Sequence, residues 1–279
     1  MWFERLQNID RRVIYTILLI VLIAPMIKPI GIPLSVNSTT RQVYNLIESL
    51  DPEKDIVMMG MDYSVAGQAD VHPQAVAIAK HLANRNIKNI MVSFVADGPM
   101  LAEKVIGLLG DRVTYGQNIV NVGYLAGGES AIKKFIEAPG STFINDHRGK
   151  PLASMPIMAG LKDINDITLI LDFQTGSPGY QDFLRQLPAG GPLYAAGIVT
   201  VSVPNVMPYL NSGQLAGLLQ GLRGGAEYEV LIEEPGEGAA RMDAQSLGHV
   251  VIVTFIIVGN LAYFGSKRKG KAHGGGDKV

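Results

Sequence analysis

The chain contains no cysteine in its 279 residues, and that absence removes disulfides, thiolate nucleophiles, zinc–thiolate sites and iron–sulfur ligation together. Charge is scarce as well. Asp, Glu, Lys and Arg make up 18% of the chain, below the roughly 25% of an ordinary soluble domain, and the formal net charge is −1. Without a basic field, nucleic acid is not expected as a partner. The familiar cofactor and catalytic signatures are missing too: there is no GxGxxG, no phosphate-binding P-loop and no HExxH, and the surroundings of Ser177, QTGSPGY, are not GxSxG. No cofactor and no metal are therefore expected.

Apolar side chains, by contrast, make up 47% of the residues, and two long runs of them lie near the ends. Residues 247–264, LGHVVIVTFIIVGNLAYF, hold no Asp, Glu, Lys or Arg over 18 positions, close to the ~20 that cross a bilayer core. Lys267, Arg268, Lys269 and Lys271 follow. Near the start, residues 13–27 read VIYTILLIVLIAPMI; Lys28 can snorkel and the apolar character resumes through IGIPL, which predicts a first span over 13–34. Arg11 and Arg12 would also suit a signal peptide, but no small-x-small cleavage site follows, so an uncleaved anchor is expected.

Arg5, Arg11 and Arg12 precede the first run and five Lys or Arg follow the second, whereas the inner flanks carry Glu233, Glu234 and Glu237 beside Lys28, Arg41 and Arg241. By the positive-inside rule both ends are cytoplasmic. The expected layout is a cytoplasmic N-terminus (1–12), a transmembrane helix (13–34), an extracytoplasmic domain (35–240), a linker (241–246), a second transmembrane helix (247–264) and a basic, glycine-rich cytoplasmic tail (265–279).

Between the two runs, strand-like and helix-like patterns alternate. Strands are predicted at 55–61, 89–95, 117–125, 167–173 and 195–203, each followed by a segment of helical periodicity, with a possible further strand at EVLIEE. Such alternation implies an α/β domain: a doubly wound, mainly parallel sheet of five or six strands, flanked here by two transmembrane helices. The order of elements resembles that of glutamine-amidotransferase-like and flavodoxin-like domains. The resemblance is one of fold only, because the amidotransferase nucleophile is a cysteine and this chain has none. Residues 138–166 break the rhythm and are read as an irregular insertion.

Ligands of such sheets sit at the carboxyl ends of the strands. The loops there contain Gly127, Gly128 and Ser130 in one, and Thr175, Gly176 and Ser177 in another; both lead into predicted helices whose free N–H groups can hold an anion, although turn and cap chemistry alone accounts for these residue types. Ser64, Ser177, His72, Asp62 and Asp97 are the residues from which a hydrolytic triad could be assembled. Asp62, Asp70 and Asp97 lack the regular spacing of a metal loop. The five histidines do not cluster in sequence.

Finally, SGQLAGLLQGLRGG (212–225) reads as a Leu-rich helix with Gly213, Gly217 and Gly221 on the face away from the leucines, a smooth ridge on which another backbone could pack. Residues 186–222 contain no charged side chain, as expected of a covered surface. Together these features predict a membrane-anchored interaction or scaffold subunit, its partners the lipid bilayer and other membrane subunits or copies of itself. A tethered hydrolase and a small-ligand sensor are the alternatives from other classes.

Overall fold

The computed structural model describes residues 10–273, with side chains through residue 264. Arg5, the basic side chains of the tail and its glycine-rich end lie outside the described residues. Two compact units are present, one made by the ends of the chain up to Ile32 and from Ala240, the other by Pro33–Ala239.

In the first unit, helix α1 (Arg11–Ile27) begins at Asp10, whose side chain accepts the Arg12 N–H, and stops at Lys28, which is extended. Pro29 enforces that stop, because a residue before proline is driven out of the helical region. The expected span over 13–34 is therefore corrected: residues 28–34 are not helical, and α1 has 17 residues, about 25 Å at 1.5 Å per residue. The last helix, α9, is continuous over Glu237–His273. The expected linker 241–246 is thus helical, since RMDAQS contains neither proline nor glycine to interrupt it. One helical stretch, Glu237–Phe264, is long and apolar enough to cross a membrane.

The second unit is built on a wholly parallel sheet of six strands, β1 (Ile56–Asp62), β2 (Lys88–Ser93), β3 (Ile119–Tyr124), β4 (Leu169–Gln174), β5 (Leu193–Ile198) and β6 (Gly217–Gln220), in the order β3-β2-β1-β4-β5-β6. This is the doubly wound order of dinucleotide-binding folds rather than the 2-1-3-4-5 order of flavodoxins. Helices α2 (Ser38–Glu48), α3 (Gln68–Asn84), α4 (Gly98–Leu109) and α8 (Gly221–Leu231) cover one face. Helices α5 (Glu129–Glu137), α6 (Tyr180–Gln186) and α7 (Val203–Asn211) cover the other, together with 3₁₀ turns from the insertion after α5. Strand β1 shows why both faces need cover. Val57, Met59 and Met61 enter one core and Ile56 and Met58 the other, so the strand reads as an unbroken apolar run.

The helix predicted over 212–225 does not form. Gly213, at φ +78°, lies in the turn that ends α7; Gly217 opens β6, where a Cβ would come 2.6 Å from Val43 Cγ2 of α2; Gly221, at φ +57°, begins α8. The three glycines answer three local demands and share no helix face, so the ridge proposed for an interface is absent. The loop expected at 204–213 is instead mostly α7, which starts through Pro204, a residue suited to a first helical turn. The loop expected at RGGAEYE belongs to α8, where Gly225 lets that helix approach α3 closely; a Cβ there would lie 3.0 Å from Gln74 N. EVLIEE is the end of the same helix and the turn after it, not a strand.

Candidate functional site

In this sheet order the chain turns one way after β1 and the other way after β4, so the carboxyl ends of those strands form the topological switch point. Two carboxyl groups are buried there, Asp62 at the end of β1 and Asp172 within β4, exposed by only 1% and 0%. Asp62 Oδ1 accepts from Phe94 N (2.5 Å) and Ser93 Oγ (3.2 Å). Asp172 Oδ2 accepts from Tyr194 Oη (2.7 Å) and Gln174 Nε2 (3.0 Å). Asp62 Oδ2 and Asp172 Oδ1 have no hydrogen-bond partner among the described residues, and the two carboxyl groups lie close enough for each to influence the ionisation of the other. A single proton shared between the two groups would satisfy both oxygens. Burial pushes both groups up, Asp62 to about 7, because desolvation disfavours the charged form and no cation is at hand.

The crevice above the pair is filled rather than open. Thr175 Oγ1 accepts the Ser64 N–H (3.3 Å), Thr175 N donates to Asp62 O (3.4 Å), and the Thr175 methyl packs where a side chain on Gly67 would stand. The open space lies one strand further on. A cleft of about 650 Å³ runs between the loops after β4 and β5, lined by Gly176 and Ser177 from the first, Ser202 from the second, and Tyr180, Asn205 and Tyr209 from the helices they lead into.

Gln174 connects the buried pair to this cleft. Its Nε2 donates to Asp172, while its Oε1 accepts the Tyr180 N–H (2.9 Å) at the start of α6. Tyr180 and Tyr209 meet edge to face, with ring centroids 5.0 Å apart and planes at 74°. The charges at the cleft are paired among themselves. Arg185 donates from Nε and Nη2 to the two oxygens of Glu129 (2.9 and 3.0 Å) and also to Asp182, whose other oxygen accepts Gly179 N (2.9 Å). Glu129, hydrogen-bonded by Arg185 and then Gln186, is held down at about 2.

The residues proposed from sequence are only partly brought together. Gly176 and Ser177 line the cleft, whereas Thr175 points back to Ser64 and Gly67. Gly127 and Gly128 take positive φ before α5, and their loop approaches the cleft through Glu129. Ser130 makes no contact with the cleft lining among the described residues. His72 is buried with Nδ1 2.7 Å from Tyr63 Oη. Asp97 accepts the Val65 N–H (3.0 Å), Asp70 accepts from Thr200, and Ser177 Oγ lies 3.4 Å from Asp182. Among the described residues the hydroxyls of Ser64 and Ser177 make no hydrogen bond to a histidine, and no group of three or more His, Asp or Glu side chains is placed to hold a metal.

Sequence reasoning missed Asp172, Gln174, Tyr180, Tyr194 and Tyr209. One signal for Asp172 was legible: an acid inside the apolar run ITLILDF is anomalous, since carboxylates are seldom fully buried without a partner. Compared with protein-family models and with curated proteins, the chain matches none.

Proposed function

We propose that this protein is a two-span membrane protein that holds its α/β domain outside the cytoplasm as a non-catalytic binding domain for a small polar ligand. The observation that carries the reading is the cleft of about 650 Å³ at the carboxyl ends of β4 and β5, one strand from the switch point, on the sheet edge where open α/β folds take ligands and of the size such ligands need. Around it stand amides, hydroxyls and tyrosines.

The two-span arrangement rests on the first unit. Both α1 and the apolar part of α9 expose large hydrophobic side chains, among them Leu19, Ile20, Ile23, Ile256, Ile257 and Leu261. A Cβ on Gly248 would meet Leu22 at 3.1 Å, and Asp243 accepts three successive N–H groups, those of Ile30, Gly31 and Ile32, at 2.7–3.0 Å. Extended chain leaving a short helix near lipid needs such partners, because the bilayer supplies none.

The full chain in detergent is melted with and without an extract of small metabolites. A ligand at a hundred times its Kd is expected to raise Tm by about 5–10 °C, and Asn205→Trp, which fills the cleft from an exposed position, abolishes the rise. A rise that survives Asn205→Trp removes the cleft from the reading.

The role of an assembly subunit, expected from the composition, has a different observation in its favour. Val65, Met100 and Tyr124 follow or end the three neighbouring strands β1, β2 and β3, Val201 follows β5, and all four are 42–83% exposed, apolar side chains along the carboxyl edge suited to a protein partner. Native mass measurement of the mildly solubilised protein checks it: a discrete additional chain supports the subunit role, and a lone chain speaks against it.

A further inference from the structure

We propose that the ligand of the β4–β5 cleft is a neutral, polyhydroxylated ring, a mono- or disaccharide, with one ring face laid on the Tyr180–Tyr209 corner. This rests on the ligand-binding reading above and names its chemical class.

The charge arrangement comes first. Arg185 is the cleft's cationic side chain, and its guanidinium is already shared between the Glu129 and Asp182 carboxylates. A phosphate or carboxylate ligand would have to displace one of those carboxylates and face the other, so free anions are selected against. An ammonium ligand fares no better, because Asp182 already takes Arg185, Gly179 N and the Ser177 hydroxyl. Neutral groups that both donate and accept remain: Ser177, Gln181, Ser202 and Asn205. Vicinal hydroxyls match amide and hydroxyl groups of that kind, each able to give one hydrogen bond and take another.

The aromatic corner supplies the second half. In the edge-to-face arrangement of Tyr180 and Tyr209 one ring is braced by the other. Gln181 Nε2 donates to Tyr180 Oη (3.1 Å), and that hydroxyl reaches Asn205 O (3.4 Å), so the ring is pinned across the mouth from α6 to α7. Pyranose rings present a face of C–H groups that packs on such a surface, with their hydroxyls at the rim. Gln174, fixed on one side by Asp172 and on the other by Tyr180 N, holds the start of α6 and hence the corner in place.

The test is isothermal titration of the full chain in detergent with four probe classes: neutral sugars (glucose, N-acetylglucosamine, maltose), amino acids (glutamate, leucine), succinate and inorganic phosphate. Saturable binding of a sugar is expected, weakened roughly tenfold by Tyr209→Ala and retained in Tyr209→Phe, which also controls for folding. Asn205→Ala, at an exposed position, is expected to weaken the same sugar. If an amino acid, succinate or phosphate binds instead and Asn205→Ala weakens it, the saccharide assignment is overturned while the cleft stands as a ligand site. If no probe binds, and the metabolite extract also leaves Tm unmoved, both readings fall.

Discussion

At the scale of single residues, Asp62 and Asp172 dominate. Two neighbouring buried acids strongly resist ionising together, and one shared proton would satisfy the oxygens that have no other partner. In the unfolded chain each would lose its proton near pH 4. The folded pair holds a proton well above that, because burial and then the neighbouring carboxylate disfavour full ionisation. Above pH 4 the native state therefore binds more protons than the unfolded state, and stability falls as pH rises, by up to about 1.4 kcal/mol per pH unit for one retained proton. Asp172→Asn preserves the shape, still accepts from Tyr194 and Gln174 through its carbonyl, and donates permanently to Asp62. The variant is expected to lose most of the drop in Tm seen in the native protein between pH 5 and pH 8, and to melt above it at pH 8. An unchanged pH profile would show that the pair holds no proton. Half of this site was legible in the sequence. Asp62 stands at a predicted strand end among the candidate residues; its partner lies 110 positions on, a lone acid inside the apolar run ITLILDF, and nothing local to either residue announces the meeting.

Among the elements, α8 carries a duty that its sequence conceals. Glu227, fully buried, accepts from Asn37 N and Nδ2, Thr40 Oγ1 and Arg223 Nε, which ties down the chain where it enters the domain. Two residues on, Glu229 accepts from Gly236, Gly238 and Ala239 N–H groups at 2.7–2.9 Å, which ties down the chain where it leaves. Burial outweighs those bonds and raises the Glu229 carboxyl above its ordinary range. In Glu229→Gln an amide NH₂ replaces one acceptor and faces backbone donors. The amides of Gly236, Gly238 and Ala239 are then expected to exchange roughly tenfold faster or more, while those of β1 do not change; hydrogen exchange read by mass spectrometry separates the two regions. The regular part of the domain was readable, because five strands of apolar residues alternate with helices of clear period. Residues 203–231 were not. A four-residue strand is too short to show a period, and the glycines of α8, poor helix formers in isolation, answer close neighbours elsewhere in the fold: Thr200 for Gly221, Leu219 of β6 for Gly224 and α3 for Gly225.

For the molecule as a whole, the same helix holds both chain ends of the α/β unit, the entry through Glu227 and the exit through Glu229. Ends gathered on one element suit the proposed hairpin of two spans better than a single span. Under that proposal the charge distribution gives direction: Arg11 and Arg12 precede α1, the cluster Lys267, Arg268, Lys269 and Lys271 follows the apolar part of α9, and the positive-inside rule would put both on the cytoplasmic side. Because the chain has no cysteine, one introduced thiol is its only thiol, and labelling is unambiguous. Ser154→Cys, exposed on the domain, is expected to react with a membrane-impermeant maleimide in intact cells; Ser266→Cys in the tail is expected to react only after permeabilisation. Labelling of the tail in intact cells, with the domain protected, would invert the protein and place the cleft in the cytoplasm. Labelling of both would mean that α9 does not cross the bilayer, because it alone separates the domain from the tail. Each pattern also decides which ligands can reach the cleft, since a saccharide supplied from outside the cell enters it only where the domain itself is labelled in intact cells.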